Sequence, residues 1–304
     1  MATMRIEIAT CDHLGDALCL TAAAMNARDE FGDAVALRYA GRYGEVFAGL
    51  DLGDWPEGAP PTHRYSVQYR SHGTRDDRAQ AGNLCEGLTA SLARWMGREI
   101  PARHTAPVVS LTEAEVTAAV DALPPITAGP LVLANTNCQG RSSVKGYPWW
   151  GKVVRRLCGL GYAVALTGGP AEADIRADLG PLPLECLDLR GRTTARQLVA
   201  LCRVAAHVVS PPSSLIHAAA AMECPAVCVC GAREPTRLTA YQNVRHVHSV
   251  CVCGGALYNH ARGCMHFRVD RCERAVGWRG RAYAGCMACI PAEAVVEAVM
   301  EEAK

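Results

Sequence analysis

Residues 208–231 constrain the fold of this chain more than any other stretch. Two apolar residues, Val208 and Val209, run into a polar turn, Ser210-Pro211-Pro212-Ser213-Ser214. Small residues follow, with a helix expected from Leu215 to about Met222, and a second apolar strand over 225–230 stops at Gly231. Strand, polar turn, helix and strand make a βαβ unit. In parallel sheets, ligands bind outside the carboxyl ends of the strands, which is where this turn lies. The amides of the first helical turn lack partners within the helix, so the turn is suited to an anion. Ser213 and Ser214 add hydroxyls, His217 sits one turn in, and the run Ala218–Ala221 lets the helix pack close to a sheet. A capped helix with no ligand would carry the same pattern.

The pattern repeats in architecture, though not in sequence. In the first half, strands are expected over 5–10 and 34–39, a small-residue helix over 18–28 and a short one near 45–50. A Pro- and Gly-rich loop at 51–62 leads to a weak strand at 65–69 and a helix over 83–96. Thr112 and Glu115 have the spacing of a capping box for a helix reaching Leu123. The Pro- and Gly-rich stretch 124–130 is the best linker. Beyond it, strands are expected over 131–134, 162–166 and 186–189, and helices over 149–160, 171–179 and 194–203. A last helix has Pro291 near its first turn. Strands alternating with helices imply parallel α/β sheets. A chain of 304 residues suggests two domains, 1–125 and 131–304.

Composition excludes more than it selects. Half of the residues are hydrophobic, enough for two cores, and a net charge of +1 demands neither a nucleic-acid nor a membrane partner. No apolar stretch reaches the roughly 18 residues of a transmembrane helix. The start of the chain lacks a signal-peptide pattern, so it reads as a cytoplasmic protein. Cytosolic thiols stay reduced, which makes the 16 cysteines informative. Ten lie scattered in apolar stretches as small buried residues. Six cluster at Cys251, Cys253, Cys264, Cys272, Cys286 and Cys289.

Four short signals follow one another along the chain. The first is His13-Leu14-Gly15-Asp16, just after the first strand. The second is Lys145-Gly146-Tyr147-Pro148-Trp149-Trp150. The third is Thr167-Gly168-Gly169-Pro170-Ala171-Glu172, with Arg190-Gly191-Arg192-Thr193 beyond it. The fourth is Ser210 to His217. The ordered set resembles glycosyltransferase family 9, the heptosyltransferase family of lipopolysaccharide inner-core synthesis. Three positions depart from the family pattern. Its first Gly is His13 here, its Asp in the fourth signal is Pro212, and its Gly there is Ser214.

The resemblance implies an α/β fold of the GT-B class, two Rossmann-like domains with parallel sheets facing across a cleft. The N-terminal one would take the acceptor and the C-terminal one the donor. It implies inverting sugar transfer, of heptose or a related sugar, from a nucleotide-diphosphate sugar, with no catalytic metal or other cofactor. Asp16 matches the family's general base; its bland alternative is the N-cap of the first helix. Lys145 matches the lysine that meets the donor phosphates, against an exposed loop lysine. Ser213, Ser214, Leu215 and His217 match the diphosphate turn, though His217 could equally be a core histidine. Glu172 would hold a donor ribose hydroxyl, against an ordinary first-turn glutamate, and Thr136, Asn137 and Gly168 complete the implied donor contacts. Pro148, Trp149 and Trp150 read as residues that start and pack a helix. The acceptor stays open: a glycolipid, a protein side chain, a modified nucleobase or a small molecule.

The cysteine cluster at 251–289 reads as an insertion in the C-terminal domain. Cys286-x-x-Cys289 has metal-ligand spacing, and thiolates suit zinc or iron. The preferred ligands are Cys253, Cys272, Cys286 and Cys289, with Cys251 and Cys264 as alternates. Plain thiols, and disulfides or redox chemistry, are the competing fates. A family branch that glycosylates autotransporters looks similar in holding iron with four cysteines, with a different spacing. Two rival functions follow: a sugar-nucleotide-binding protein without catalysis, suggested by Pro212, and a redox or metal protein built on the cysteine cluster.

Overall fold

The computed structural model describes residues 3–10, 13–67, 82–125, 129–136, 144–170, 179–184, 186–232, 235–248 and 268–302. They fall into two compact units, Met1–Thr112 with Arg237–Tyr241, and Glu113–Thr236 with Gln242–Lys304.

Unit 1 holds a parallel three-stranded sheet. β1 (Met4–Ala9) lies between β2 (Val35–Tyr39) and β3 (His63–Ser66). Between β1 and β2 runs α1 (Leu14–Phe31), and α2 (Leu84–Met96) packs against it. α1 is longer at both ends than its apolar spacing suggests. Its residues Ala17 to Ala24 are all buried, so no polar face marks where the buried stripe stops. α2 begins where expected because Asn83 forms a full capping box with Glu86. Asn26 Nδ2 donates to Thr89 Oγ1 at 3.0 Å, fastening the two helices through a buried polar pair.

The segment Arg237–Tyr241 joins unit 1 for a local reason. The Tyr241 hydroxyl lies 3.4 Å from Cys19 Sγ on α1 and 3.7 Å from Cys85 Sγ on α2. Burial pushes that phenol well above its ordinary titration range.

Unit 2 is built on a six-stranded sheet, parallel throughout, in the order β6-β5-β4-β7-β8-β9. The strands are β4 (Leu131–Asn135), β5 (Ala163–Thr167), β6 (Cys186–Asp188), β7 (His207–Ser210), β8 (Ala226–Cys230) and β9 (Val244–His248). One face is covered by α4 (Trp150–Gly159) and the C-terminal α8 (Ala292–Glu302). Val132, Leu166, Val209, Val227 and Val229 meet Val153, Leu157 and Val295 there. α5 (Ala195–Val204) and α6 (Ser214–Ala221) pack elsewhere on the sheet and on each other. Strands buried on both faces read as continuous apolar runs, which is why β4, β5, β7 and β8 were legible.

The division between units falls at Thr112/Glu113, ahead of the Pro- and Gly-rich stretch 124–130. The helix between, α3 (Glu113–Asp121), belongs with α5. Arg196 Nε meets Glu115 Oε1 at 2.6 Å, and Arg203 meets Glu113 at 2.6 Å. Glu115 of the expected capping box thus spends a carboxylate oxygen on α5.

Three strands were not anticipated. β9 alternates polar and apolar residues too briefly to stand out, and β10 (Val276–Trp278) pairs antiparallel with β11 (Arg281–Tyr283) as a small hairpin. The helix α7 (Gly285–Ala288) is a single turn. The expected helix over 171–179 lies largely outside the described residues. Among those residues, no helix is long and apolar enough to cross a membrane.

Candidate functional site

The strand order of unit 2 reverses beside β4. The chain runs outward through β5 and β6 on one side, then returns to β7, β8 and β9 on the other. At such a switch point two adjacent strands send their loops in opposite directions, opening a crevice at their carboxyl ends.

Lys145, in the loop after β4, is 7% exposed, so it is not the exposed loop lysine of the bland reading. Its Nζ donates to the Pro212 carbonyl at 3.0 Å. The contact ties the loop after β4 to the turn after β7, across the switch. Pro212 has neither an acidic side chain nor an amide hydrogen, but it serves Lys145 through a main-chain oxygen that any residue would supply.

The turn itself is braced. Ser213 is the N-cap of α6 and its hydroxyl accepts from Leu215 N at 3.2 Å. Ser210 Oγ lies 2.7 Å from Ser213 Oγ and 2.7 Å from the Pro211 carbonyl. Ser214 is the first helical residue, one position earlier than the apolar pattern suggests, because Ser213 caps. Leu215 is fully buried, and His217 is buried in the second turn.

Two hydroxyls at the same sheet edge have no hydrogen-bond partner among the described residues. They are Thr136 Oγ1, just past β4, and Thr167 Oγ1, at the end of β5, and both are buried. Asn135 and Thr167 stand side by side in the β4–β5 register. Buried hydroxyls are ordinarily paired, so the two stand out among the buried polar groups at this end of the sheet. Thr136 is one of the donor contacts that the resemblance implies. Thr167 opens the third sequence signal, but nothing in that signal gives its hydroxyl a role.

The third sequence signal is explained by packing. Gly191 N donates to the Gly168 carbonyl at 2.8 Å, locking the turn after β6 onto the turn after β5. Gly191 has φ +71°, and a Cβ there would stand 2.9 Å from Pro170 Cα. Only glycine suits both conditions. Arg190, beside it, forms a two-pronged ion pair with Asp188 (2.9 Å on each oxygen), its side chain fully buried. Asn137 and Glu172 lie outside the described residues.

Tyr147, Trp149 and Trp150 pack rather than line the turn. Tyr147 Oη donates to Ile290 O at 2.9 Å, Trp149 Nε1 donates to Ala288 O at 2.9 Å, and Trp150 is buried.

In unit 1, Asp16 stands in the first turn of α1, just beyond the carboxyl end of the central strand β1. It is not the N-cap. That position is His13, whose side chain makes no capping bond.

The cysteines divide by environment. Burial pushes the Cys186 and Cys224 thiols up to about 12 and Cys202 well above its ordinary value, which makes them inert packing groups. Cys251, Cys253 and Cys264 lie outside the described residues. Cys286 is buried and its Sγ accepts from Ala232 N at 3.4 Å; Cys272 is half-buried and Cys289 exposed. These three do not together bring their sulfurs within 4.8 Å of one another. Among the described residues, such a gathering of metal-ligand atoms occurs at Cys228, Cys230 and His246. Burial, then neighbouring His248, lowers the pKa of His246 and favours the neutral ring.

Comparison with known proteins extends these observations. The profile of glycosyltransferase family 9 (heptosyltransferase) matches residues 86–256. Among curated proteins, none matches the sequence. Three solved structures share the fold at low identity. ADP-heptose lipopolysaccharide heptosyltransferase II of E. coli is 15% identical, with TM-score 0.68, over 99% of this chain and 100% of that one. The iron-containing dodecameric glycosyltransferase TibC of enterotoxigenic E. coli H10407 is 18% identical, with TM-score 0.69, over 100% and 77%. E. coli heptosyltransferase WaaC with ADP is 16% identical, with TM-score 0.54, over 85% and 96%. The fold is therefore of the α/β GT-B class, as the motif order implies.

Proposed function

The chain belongs to glycosyltransferase family 9 and is a glycosyltransferase, and from that premise we propose how it works. Unit 2 binds a nucleoside-diphosphate sugar and unit 1 binds the acceptor. The observation that carries the reading is the buried Lys145 ammonium held at 3.0 Å on the Pro212 carbonyl, at the mouth of a capped helix.

The chemistry runs as a single inverting displacement. The Asp16 carboxylate takes the proton of the acceptor hydroxyl. That oxygen forms a bond to the anomeric carbon as the bond from that carbon to the phosphate oxygen breaks. The nucleoside diphosphate leaves with the electron pair. Its growing charge is offset by Lys145 and by the first-turn amides of α6. The Thr136 and Thr167 hydroxyls supply hydrogen bonds to donor oxygens. A fixed ammonium and fixed amides do the work a metal ion would do, so no step is assigned to a metal, and the cysteines at 251–289 take no part.

The sugar transferred is heptose or a close relative. Support comes from the matched family and from the shared fold of E. coli ADP-heptose lipopolysaccharide heptosyltransferase II and of E. coli WaaC with ADP. The rival, a binding protein without catalysis, drew on the missing acidic side chain at Pro212. The lysine contact uses the main-chain oxygen of Pro212, so it does not depend on an acidic side chain there.

The test is a panel of nucleotide-sugars incubated with the protein, with release of nucleoside diphosphate as readout. Release from an ADP-sugar, stimulated by an acceptor, is expected. Tight binding of every donor without turnover would leave the non-catalytic reading standing.

A further inference from the structure

β8 and β9 carry a pattern that the glycosyltransferase reaction does not use. Cys228 and Cys230 alternate along β8, and His246 and His248 alternate along β9. The parallel register sets Cys228 beside His246 and Cys230 beside His248. Residues two apart on a strand share a face. The intervening Val227, Val229 and Val247 belong to the core under α4 and α8. The two cysteines and two histidines therefore share the opposite face, at the corners of a rectangle of about 4.8 by 6.7 Å.

The side chains converge. Cys228 Sγ and Cys230 Sγ lie 3.4 Å apart. Their sulfurs and a ring nitrogen of His246 all fall within 4.8 Å of one another. Ligands about 2.3 Å (sulfur) and 2.0–2.1 Å (nitrogen) from a tetrahedral zinc-type ion are spaced by roughly 3.3–3.8 Å. The sulfurs already stand near that spacing. Two thiolates and an imidazole are also the donors a thiophilic divalent cation selects over magnesium or calcium.

We propose that Cys228, Cys230 and His246 form a structural site for one thiophilic divalent cation of the zinc type, with His248 or a water as fourth ligand. The site is distinct from the cysteine cluster at 251–289. The ion fastens the sheet's edge strand β9 to β8. Cys228 is also the register partner of Ser210 on β7, whose hydroxyl braces Ser213. The ion thus stiffens the strand next to the diphosphate turn without touching it.

The test uses the full chain, produced with zinc and separately with cobalt(II). Metal content is compared for wild type, the double variant Cys228→Ala/Cys230→Ala, and Cys286→Ala/Cys289→Ala as the control for the other cluster. The first double variant is expected to lose one equivalent of metal, and the control to keep that equivalent. In the cobalt form, the cobalt–thiolate charge-transfer band at this site should vanish in the first variant. His246→Gln, on a half-exposed edge strand, guards against failure of the double variant to fold. It should weaken zinc binding by more than the ~10–100-fold that loss of an outer-shell partner costs. Unchanged metal content and unchanged cobalt spectrum in both Cys228→Ala/Cys230→Ala and His246→Gln would overturn the site. So would a wild-type protein that takes up zinc only through the cysteines at 251–289.

Discussion

Two strand-to-helix turns, one in each unit, start from the same local plan and end with different side chains at the helix N-terminus. Each follows the carboxyl end of an interior strand and opens a helix rich in alanine. At α6 the turn is braced by polar side chains. Ser213 caps the helix, Ser210 supports Ser213, and Lys145 holds the Pro212 carbonyl. At α1 the N-cap residue His13 makes no side-chain capping bond, and a carboxylate, Asp16, sits in the first turn. A negative side chain already answers the partial positive charge of that helix end. The difference teaches that a helix N-terminus alone does not make a phosphate site. The side chains around it decide whether it receives an anion or presents one.

The largest expected effect would break the comparison at α1. Asp16→Asn should keep the fold by circular dichroism and leave donor affinity unchanged, while turnover falls by roughly 10²–10⁴-fold. Wild-type turnover would show that the carboxylate is only a helix-end charge. The matching change at α6 is Lys145→Ala. Loss of a charge-assisted contact should weaken nucleoside-diphosphate binding by roughly 10–150-fold, from about 1.5–3 kcal/mol. Isothermal calorimetry reads it, and an unchanged affinity would remove the lysine from the donor site.

Stability changes sharpen the same contrast. Gly191→Ala forces an unfavourable φ and a contact with Pro170, and should cost about 1–3 kcal/mol in chemical denaturation. Next, Ser213→Ala should cost about 0.5–2 kcal/mol, whereas His13→Ala, removing no capping bond, should stay within about 0.5 kcal/mol. Equal costs at the two helix ends would contradict the assignment of a side-chain cap to Ser213 and none to His13.

The smallest effect belongs to the surface of unit 1's sheet. Glu7 on β1 accepts from Arg38 on β2 at 2.7 Å and from Arg64 on β3 at 3.0 Å. The hydrogen bond from Arg38, then that from Arg64, holds its carboxyl below the usual range. A lowered folded-state pKa gives stability that is present above the unfolded value and lost as pH falls through the folded one. Glu7→Gln should therefore cost only about 0.2–1 kcal/mol near neutrality, because the pairs are solvent-exposed. The gap to wild type should close on acidification. A gap that persists at low pH would mean that the glutamate acts by packing.

Much of this was legible in the sequence. The buried strands of unit 2 announce themselves as short apolar runs, and the helices expected over 83–96 and 194–203 start within a residue of where the capping boxes at Asn83 and Thr194 begin them. The motif order carried the family. The Ser213 cap owes its role to local chemistry, since the amide it accepts from, that of Leu215, lies two residues on.

What only the tertiary structure decided involves residues far apart in the chain. That Lys145 is buried and anchored on Pro212 depends on β4 and β7 being neighbours at the strand-order switch. That α3 belongs to unit 2 rests on its packing against α5, with two ion pairs alongside, which no linker composition reveals. Cys228 and Cys230 read as plain buried thiols because β9 was not recognised, and His246 reaches them only through parallel pairing. The physical reason is the same throughout. Local propensity and capping are written in neighbouring residues, whereas a site's final composition depends on sheet order and register, which are set by burying whole faces at once.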